Sequence, residues 1–244
     1  MLKPFIKLLV LIFALFYCNI GAAQILEETS QAADHEPRVS GELIYHIEST
    51  VGNQYFLNNW VIGEIILASD EKIYCNNLNY NGYVDELIWV HPEFFQHIII
   101  DRYNVKEFTL EDKNASYRFT NLGLMEEEDL KDFNFYAQIL YKGNFKLYAH
   151  RKVSRVGSDN IVQNKKNVRR TRVNPTPVYY LQMPGSEMLS FRKLNRRELM
   201  LAFPDHRREI RQALRSNRIQ LFDENTFVRA MPLLENILSD KVDE

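Results

Sequence analysis

The chain has 244 residues, 45% of them hydrophobic and 25% charged, with a formal net charge of −2. That composition is globular and sufficient for one large or two small domains, which excludes a disordered, low-complexity chain. Beyond the N-terminus, no stretch is long and apolar enough to span a membrane.

The N-terminus reads as a secretory signal peptide over residues 1–23. Lys3 and Lys7 give a positive start, Leu8 to Phe16 is an unbroken apolar run, and Gly21-Ala22-Ala23 offers small residues at a cleavage site near Ala23. The apolar core is shorter than the ~18 residues of a spanning helix. Cys18 follows Leu15-Phe16-Tyr17, bulky side chains where a lipidated cysteine is normally preceded by small ones. The mature chain is therefore expected to begin at Gln24 and to be exported to the periplasm or beyond. Its single cysteine, Cys75, allows no internal disulfide and reads as a small buried hydrophobe. Residues 24–41 are polar, small and acidic, and read as a flexible leader.

Short strands follow. Leu43 to Ile47 is a candidate first strand, Gly52-Asn53 a turn, and Trp60 to Ala68 a β-branched apolar run. Ile73 to Tyr80 and Tyr83 to Val90 flank Asn81-Gly82, a dipeptide that suits a type I′ hairpin because both residues tolerate positive φ. His91-Pro92 ends that strand. Ile98 to Ile100 and Val105 to Leu110 are two more, around a polar bend at Asp101 to Asn104. Phe133 to Tyr141 alternates clearly, and Gly143-Asn144 turns the chain into Phe145, Leu147 and Ala149. Residues 151–174 show no periodicity and carry a net charge of +7, which predicts an exposed basic loop. Val178 to Leu181 and Met188 to Phe191 flank Met183-Pro184-Gly185-Ser186, a type II turn by its Pro-Gly centre.

From Leu194 the period changes to 3.6. Asn195 and Glu198 form a capping box for a short helix. A second helix is expected over His206 to Ser216 with Asp205 as cap, and a third after Asp223, kinked or broken at Pro232. Strands first and helices last predict an α+β fold. An antiparallel β meander, sheet or open barrel would fill residues 42–191, with two or three helices in 192–244 packed on it.

Catalytic signatures are absent: there is no phosphate-binding glycine loop, no nucleophile elbow, no His-Glu-x-x-His and no Cys-x-x-Cys. No cofactor is implied. His91, Glu93, His97 and Asp101 have ligand chemistry and one strand parity. On one strand, however, they would span roughly 33 Å, far too much for one metal ion. The amide and aromatic residues from Asn76 to Tyr83 could line a sugar or peptide edge, but fit better as a tyrosine-rich hairpin whose asparagines serve turn chemistry. A ligand face at Trp60, Tyr80 and Trp89 is the candidate concave site. Charge is segregated: residues 24–150 carry −12 and residues 151–244 carry +8. In the second helix Arg207, Arg208, Arg211, Arg215 and Arg218 fall within one sector beside Ile210 and Leu214. Such a face is either offset by the acidic β region of the same molecule or by water and salt, or it meets an anionic envelope surface or another envelope protein; an exported chain with an acidic half is a poor nucleic-acid binder.

The strand Trp60-Val61-Ile62-Gly63, the element Leu78-Asn79-Tyr80-Asn81 and the basic segment Lys193 to Arg218 before an acidic-capped last helix resemble a group of exported Gram-negative bacterial proteins of unknown function. The resemblance implies a signal peptide, an antiparallel β region and terminal helices; it carries no catalytic residues. The expectation is an exported, non-catalytic binding or envelope-associated module. The alternative is a secreted hydrolase using a carboxylate pair, recognisable by two acids in one pocket with one pKa raised.

Overall fold

The computed structural model describes residues 40–44, 50–113, 115–125, 130, 132–163 and 166–239; the expected signal peptide and nearly all of the expected leader lie outside them. The first strands are β1 (Gly41–Ile44), β2 (Val61–Leu67), β3 (Lys72–Asn81), β4 (Glu86–Val90), β5 (His97–Ile100), β6 (Val105–Asp112) and β7 (Ala115–Asn121). After these come β8 (Tyr136–Lys142), β9 (Lys146–His150), β10 (Val153–Gln163), β11 (Lys166–Pro175), β12 (Val178–Gln182) and β13 (Leu189–Phe191). Helices α1 (Arg196–Ala202), α2 (Arg207–Ser216) and α3 (Glu224–Ser239) close the chain. The architecture is α+β, with an antiparallel eleven-stranded sheet in the order β1-β5-β4-β3-β2-β6-β7-β8-β9-β12-β13 and a separate β10-β11 pair. No helix among the described residues is long and apolar enough to cross a membrane.

The sheet departs from a meander at β1, which lies beside β5 and not β2, between β9 and β12, where β10 and β11 form their own pair, and where the chain leaves β5 and returns beside β2 to begin β6. That return takes a single 3-10 turn, Arg102–Asn104, although three strands separate β5 from β6 in the sheet order. So short a connection requires the intervening strands to curl. Ring contacts record the same curl. Tyr80 on β3 lies 5.2 Å from Phe119 on β7 and 6.3 Å from Tyr136 on β8. In a flat sheet, β3 and β8 would be roughly 19 Å apart at ~4.8 Å per strand. The curl encloses an aromatic core in which Phe108 and Phe119, directly opposed across β6 and β7, stack at 4.7 Å.

A bulge sets which side chains enter that core. Val61 pairs with Leu78 but Gly63 pairs with Cys75, so β3 carries one extra residue, and Asn77 takes the left-handed conformation at φ 63°. Alternation therefore changes phase. Ile73 and Cys75 are buried before the bulge, and Leu78 and Tyr80 after it, although strict alternation would put the two pairs on opposite faces.

Two expected turns differ in detail. The β3–β4 hairpin forms, but Asn81 pairs with Glu86 and the loop is four residues long. Its left-handed residue is Asp85, at φ 58°, and Gly82 does not adopt positive φ. Gly82 is needed for a close approach instead: a Cβ there would sit 2.2 Å from the Arg151 carbonyl oxygen. Residues 151–174, expected as an irregular loop, are the long hairpin of β10 and β11, held at its base by buried Val153 and Val173. Most of the other described residues of this hairpin are exposed or half-buried on both faces, so no apolar alternation marks it.

The helices cover the β8, β9, β12 and β13 end of the sheet. Leu147, Ala149, Leu181 and Phe191 from the strands join Leu199, Ile210, Leu214, Phe227 and Leu234 from the helices in one core. Glu235 fastens α3 to the sheet, accepting from the Tyr141 hydroxyl at 2.6 Å and from the Phe145 amide at 2.6 Å. Asn195 caps α1 and Asp223 caps α3, their side chains accepting from the Glu198 and Thr226 amides. Asp205 does not cap α2, whose N-terminal boundary residue is His206. Helix α3 runs through Pro232 without a break.

Candidate functional site

Helix α2 turns Ile210 and Leu214 into the core, and its register leaves Arg207, Arg208, Arg211 and Arg215 exposed, with Arg218 exposed just beyond its end. Arg207 is tied down, its Nε donating to the Met200 carbonyl at 2.7 Å. Arg208, Arg211, Arg215 and Arg218 make no ion pair among the described residues. Three of them do more than share a helix face. Arg211, Arg215 and Arg218 join Arg196 of α1 and Phe222 in lining a groove of about 540 Å³. Phe222 is 71% exposed. It also lines a second cavity of about 820 Å³, with Lys152, Arg192 and Lys193 set against Asp223 and Glu224. The sequence pattern located the arginines. It missed Phe222, which stands outside the helical periodicity, in the loop between α2 and α3.

The expected face of Trp60, Tyr80 and Trp89 is not assembled. Trp89 stands opposite Leu78 and Ile98, on the same side of the sheet as Leu87 and Tyr80. Trp60 packs against His97, at 5.2 Å, and His97 stands opposite Val90 on the other side. Tyr80 is completely buried. The strand parity that would align His91, Glu93, His97 and Asp101 is also broken. Residues from Pro92 form a turn in which His91 Nδ1 accepts from the Glu93 amide at 3.2 Å.

A cluster that the sequence did not announce lies where the β3–β4 loop meets the β5–β6 return. Asp85 Oδ1 accepts from the Tyr80 hydroxyl at 2.6 Å and the Tyr136 amide at 3.3 Å, and Oδ2 lies 2.8 Å from the Arg102 guanidinium. Arg102 also donates to the carbonyls of Asp85 and Asn134 and stands over the Tyr136 ring at 5.3 Å. His150 Nε2 approaches Asp85 Oδ1 to 3.8 Å, and its ring stacks on Phe135 at 4.1 Å. Burial dominates the titration of these groups. It pushes the Asp85 carboxyl up to about 6 against the pull of the Tyr80 hydroxyl and Arg102, and holds His150 down to about 4. Both Asp85 oxygens are engaged, so the group acts as a clamp that fixes the return loop against β8. Its members, Asp85, Arg102, Tyr136 and His150, are spread along the chain and share no motif. Only the curl of the sheet brings them together.

Beside this clamp is a cavity of about 570 Å³ whose lining includes Glu42, Glu86, Asp101, Arg102, Tyr103 and Tyr136. Burial raises the Glu86 carboxyl. Among the described residues, no three His, Cys, Asp or Glu side chains are grouped to hold a metal ion. No family model, no curated protein and no solved structure matches the chain.

Proposed function

We propose that this is an exported, non-catalytic binding module of the cell envelope that docks on an anionic lipid surface through the α1–α2 groove. The observation that supports the reading most strongly is the joining of exposed Arg211, Arg215 and Arg218 with Arg196 around exposed Phe222. Guanidinium groups recognise phosphate oxygens with paired, charge-assisted hydrogen bonds. Like charges at i, i+4 cost a few tenths of a kcal/mol each and bring the folded chain nothing in return unless an anion offsets them. A neighbouring exposed aromatic ring gives such a surface an apolar tooth, which suits a headgroup layer. Export rests on the signal-peptide pattern of residues 1–23.

Cosedimentation with vesicles tests the reading. The full mature chain should pellet with phosphatidylglycerol vesicles and stay in solution with phosphatidylcholine. Arg211→Gln, Arg215→Gln and Arg218→Gln together should abolish pelleting while leaving the melting temperature within a few degrees, since these exposed charges make no ion pair among the described residues and contribute only ~0–1 kcal/mol each to folding. Binding to another envelope protein with no vesicle association would replace the lipid reading. An unfolded triple variant would show the arginines to be structural partners of the acidic half.

A further inference from the structure

We propose that the cavity at the β5–β6 return is a binding site for a small organic cation, a primary ammonium on an alkyl chain of the linear polyamine class. The site is separate from the arginine groove and opposite to it in charge. Glu42 on β1 stands opposite Ile99, Ile99 stands opposite Ile88, and Glu86 is two residues from Ile88, so the two glutamates share one side of three adjacent strands. Asp101 starts the return loop and lines the same space. The lone cation in the lining, Arg102, is already matched by Asp85 at 2.8 Å and by the Asn134 carbonyl at 3.0 Å. Glu42 and Glu86 therefore line the cavity without a cation of their own among the described residues, whereas both Asp101 oxygens already accept within the return loop, from the Tyr103 amide at 3.1 Å and the Asn104 side-chain amide at 2.9 Å.

Two polar groups there, one half-buried and one fully buried, have no partner among the described residues. Glu86 is half-buried and makes no hydrogen bond or ion pair among the described residues. The Tyr136 hydroxyl is completely buried and unpartnered, although a buried hydroxyl normally finds one. Both residues line the cavity. Burial is the main cause that pushes the Tyr136 hydroxyl up, Arg102 opposes it, and Asp85, Asp101 and Glu86 add to it, so the hydroxyl is within electrostatic reach of those carboxylates. An ammonium group has three donors and so can answer Glu86 and the Tyr136 oxygen, the groups left without a partner among the described residues.

The distribution of charge selects a molecule over an ion. The carboxylates are not grouped tightly enough for a metal. They are instead spread over a volume within the ~300–1,000 Å³ range of small-molecule sites. Ile99 and Ile100 give an apolar wall for methylene groups, and the exposed Tyr103 ring at the rim offers a face for a second ammonium.

Isothermal titration of the mature chain with spermidine tests the proposal. Magnesium chloride at equal ionic strength is the control for unspecific screening. Saturable binding that magnesium does not displace is the expected result. Glu86→Gln should weaken it about tenfold by removing a charge-assisted contact, and the exposed Glu42→Gln, which leaves the fold untouched, about threefold. Tyr136→Phe should weaken it by a similar few-fold without lowering the melting temperature, because the hydroxyl makes no bond among the described residues. The triple arginine variant should bind spermidine as the wild type does, which separates this site from the lipid groove. Absence of saturable binding, full competition by magnesium, or unchanged affinity in Glu86→Gln and Glu42→Gln would each overturn the proposal.

Discussion

Asp85 and His150 illustrate how burial at one point sets a pH response. The folded chain holds the Asp85 proton more tightly than the unfolded chain does, so this group weakens the fold as pH rises towards about 6. His150 works the other way. Its folded-state affinity is held down to about 4, so the unfolded chain takes the proton first and the fold weakens as pH falls from ~6.5. The two effects oppose each other between about 4 and 6. Replacing His150 by Phe, whose ring can keep the stack on Phe135, should therefore stabilise the chain relative to wild type as pH falls. The difference should reach the order of 2 kcal/mol near pH 4 and vanish above neutrality. Chemical denaturation at pH 4, 5.5 and 7.5 measures this, and a pH-independent difference would contradict the burial of the imidazole. Gly82 is the second case. The Asn-Gly pair correctly marks the hairpin, but the physical demand for glycine is the Arg151 carbonyl, a contact from a distant strand. Gly82→Ala should lower the stability by about 1–3 kcal/mol, as over-packing against backbone does. An unchanged melting temperature would mean that the loop and β9–β10 junction do not meet this closely.

At the scale of elements, what could be read from one sequence follows from where the periodicity survives. The strands around Trp60, Ile73, Val105, Phe133 and Val178 and all three helices carry apolar patterns or caps, and each appears close to its expected place. The β10–β11 hairpin was illegible because it buries little beyond its base, so its side chains follow the solvent on both faces. The phase change at Asn77 was hidden for another reason. A bulge is a property of a strand pair, and Val61 and Leu78 must first be known to pair before the extra residue can be seen. Asp205 failed as a cap although its residue type is favoured, while Asn195 and Asp223 succeeded with bonds to Glu198 and Thr226. The loop between α2 and α3 leaves Phe222 without packing, so Phe222→Ala should keep the melting temperature within about one degree. On the proposed function it should also cost vesicle binding about tenfold, the scale of one aromatic ring withdrawn from water. A large loss of stability instead would show that Phe222 packs within the fold.

For the molecule as a whole, the sequence revealed the division of charge but not its placement. The acidic first half curls around an aromatic core, and the basic second half supplies the helices that cover the other end of the sheet. Among the described residues, Arg151 pairs with Glu224 within the basic half, and Asp85 with Arg102 within the acidic one. The net +8 of residues 151–244 is thus left largely to solvent and partners. That is the physical basis for proposing two sites of opposite charge on one chain, a basic groove for anionic surfaces and an acidic cavity for an organic cation. The candidate sites were illegible for the same reason as the clamp, since Arg196 and Phe222, or Glu42 and Tyr136, become neighbours only after folding. The central claim, an anionic-surface docking groove, is tested most directly by titrating phosphatidylglycerol vesicles against the mature wild-type chain across ionic strength. The Debye length falls from ~30 Å at 0.01 M to ~8 Å at 0.15 M, so affinity should drop steeply over that range and retain a residual, salt-resistant part from Phe222. Binding that is absent at every salt concentration, or that does not weaken as salt rises, would contradict the account.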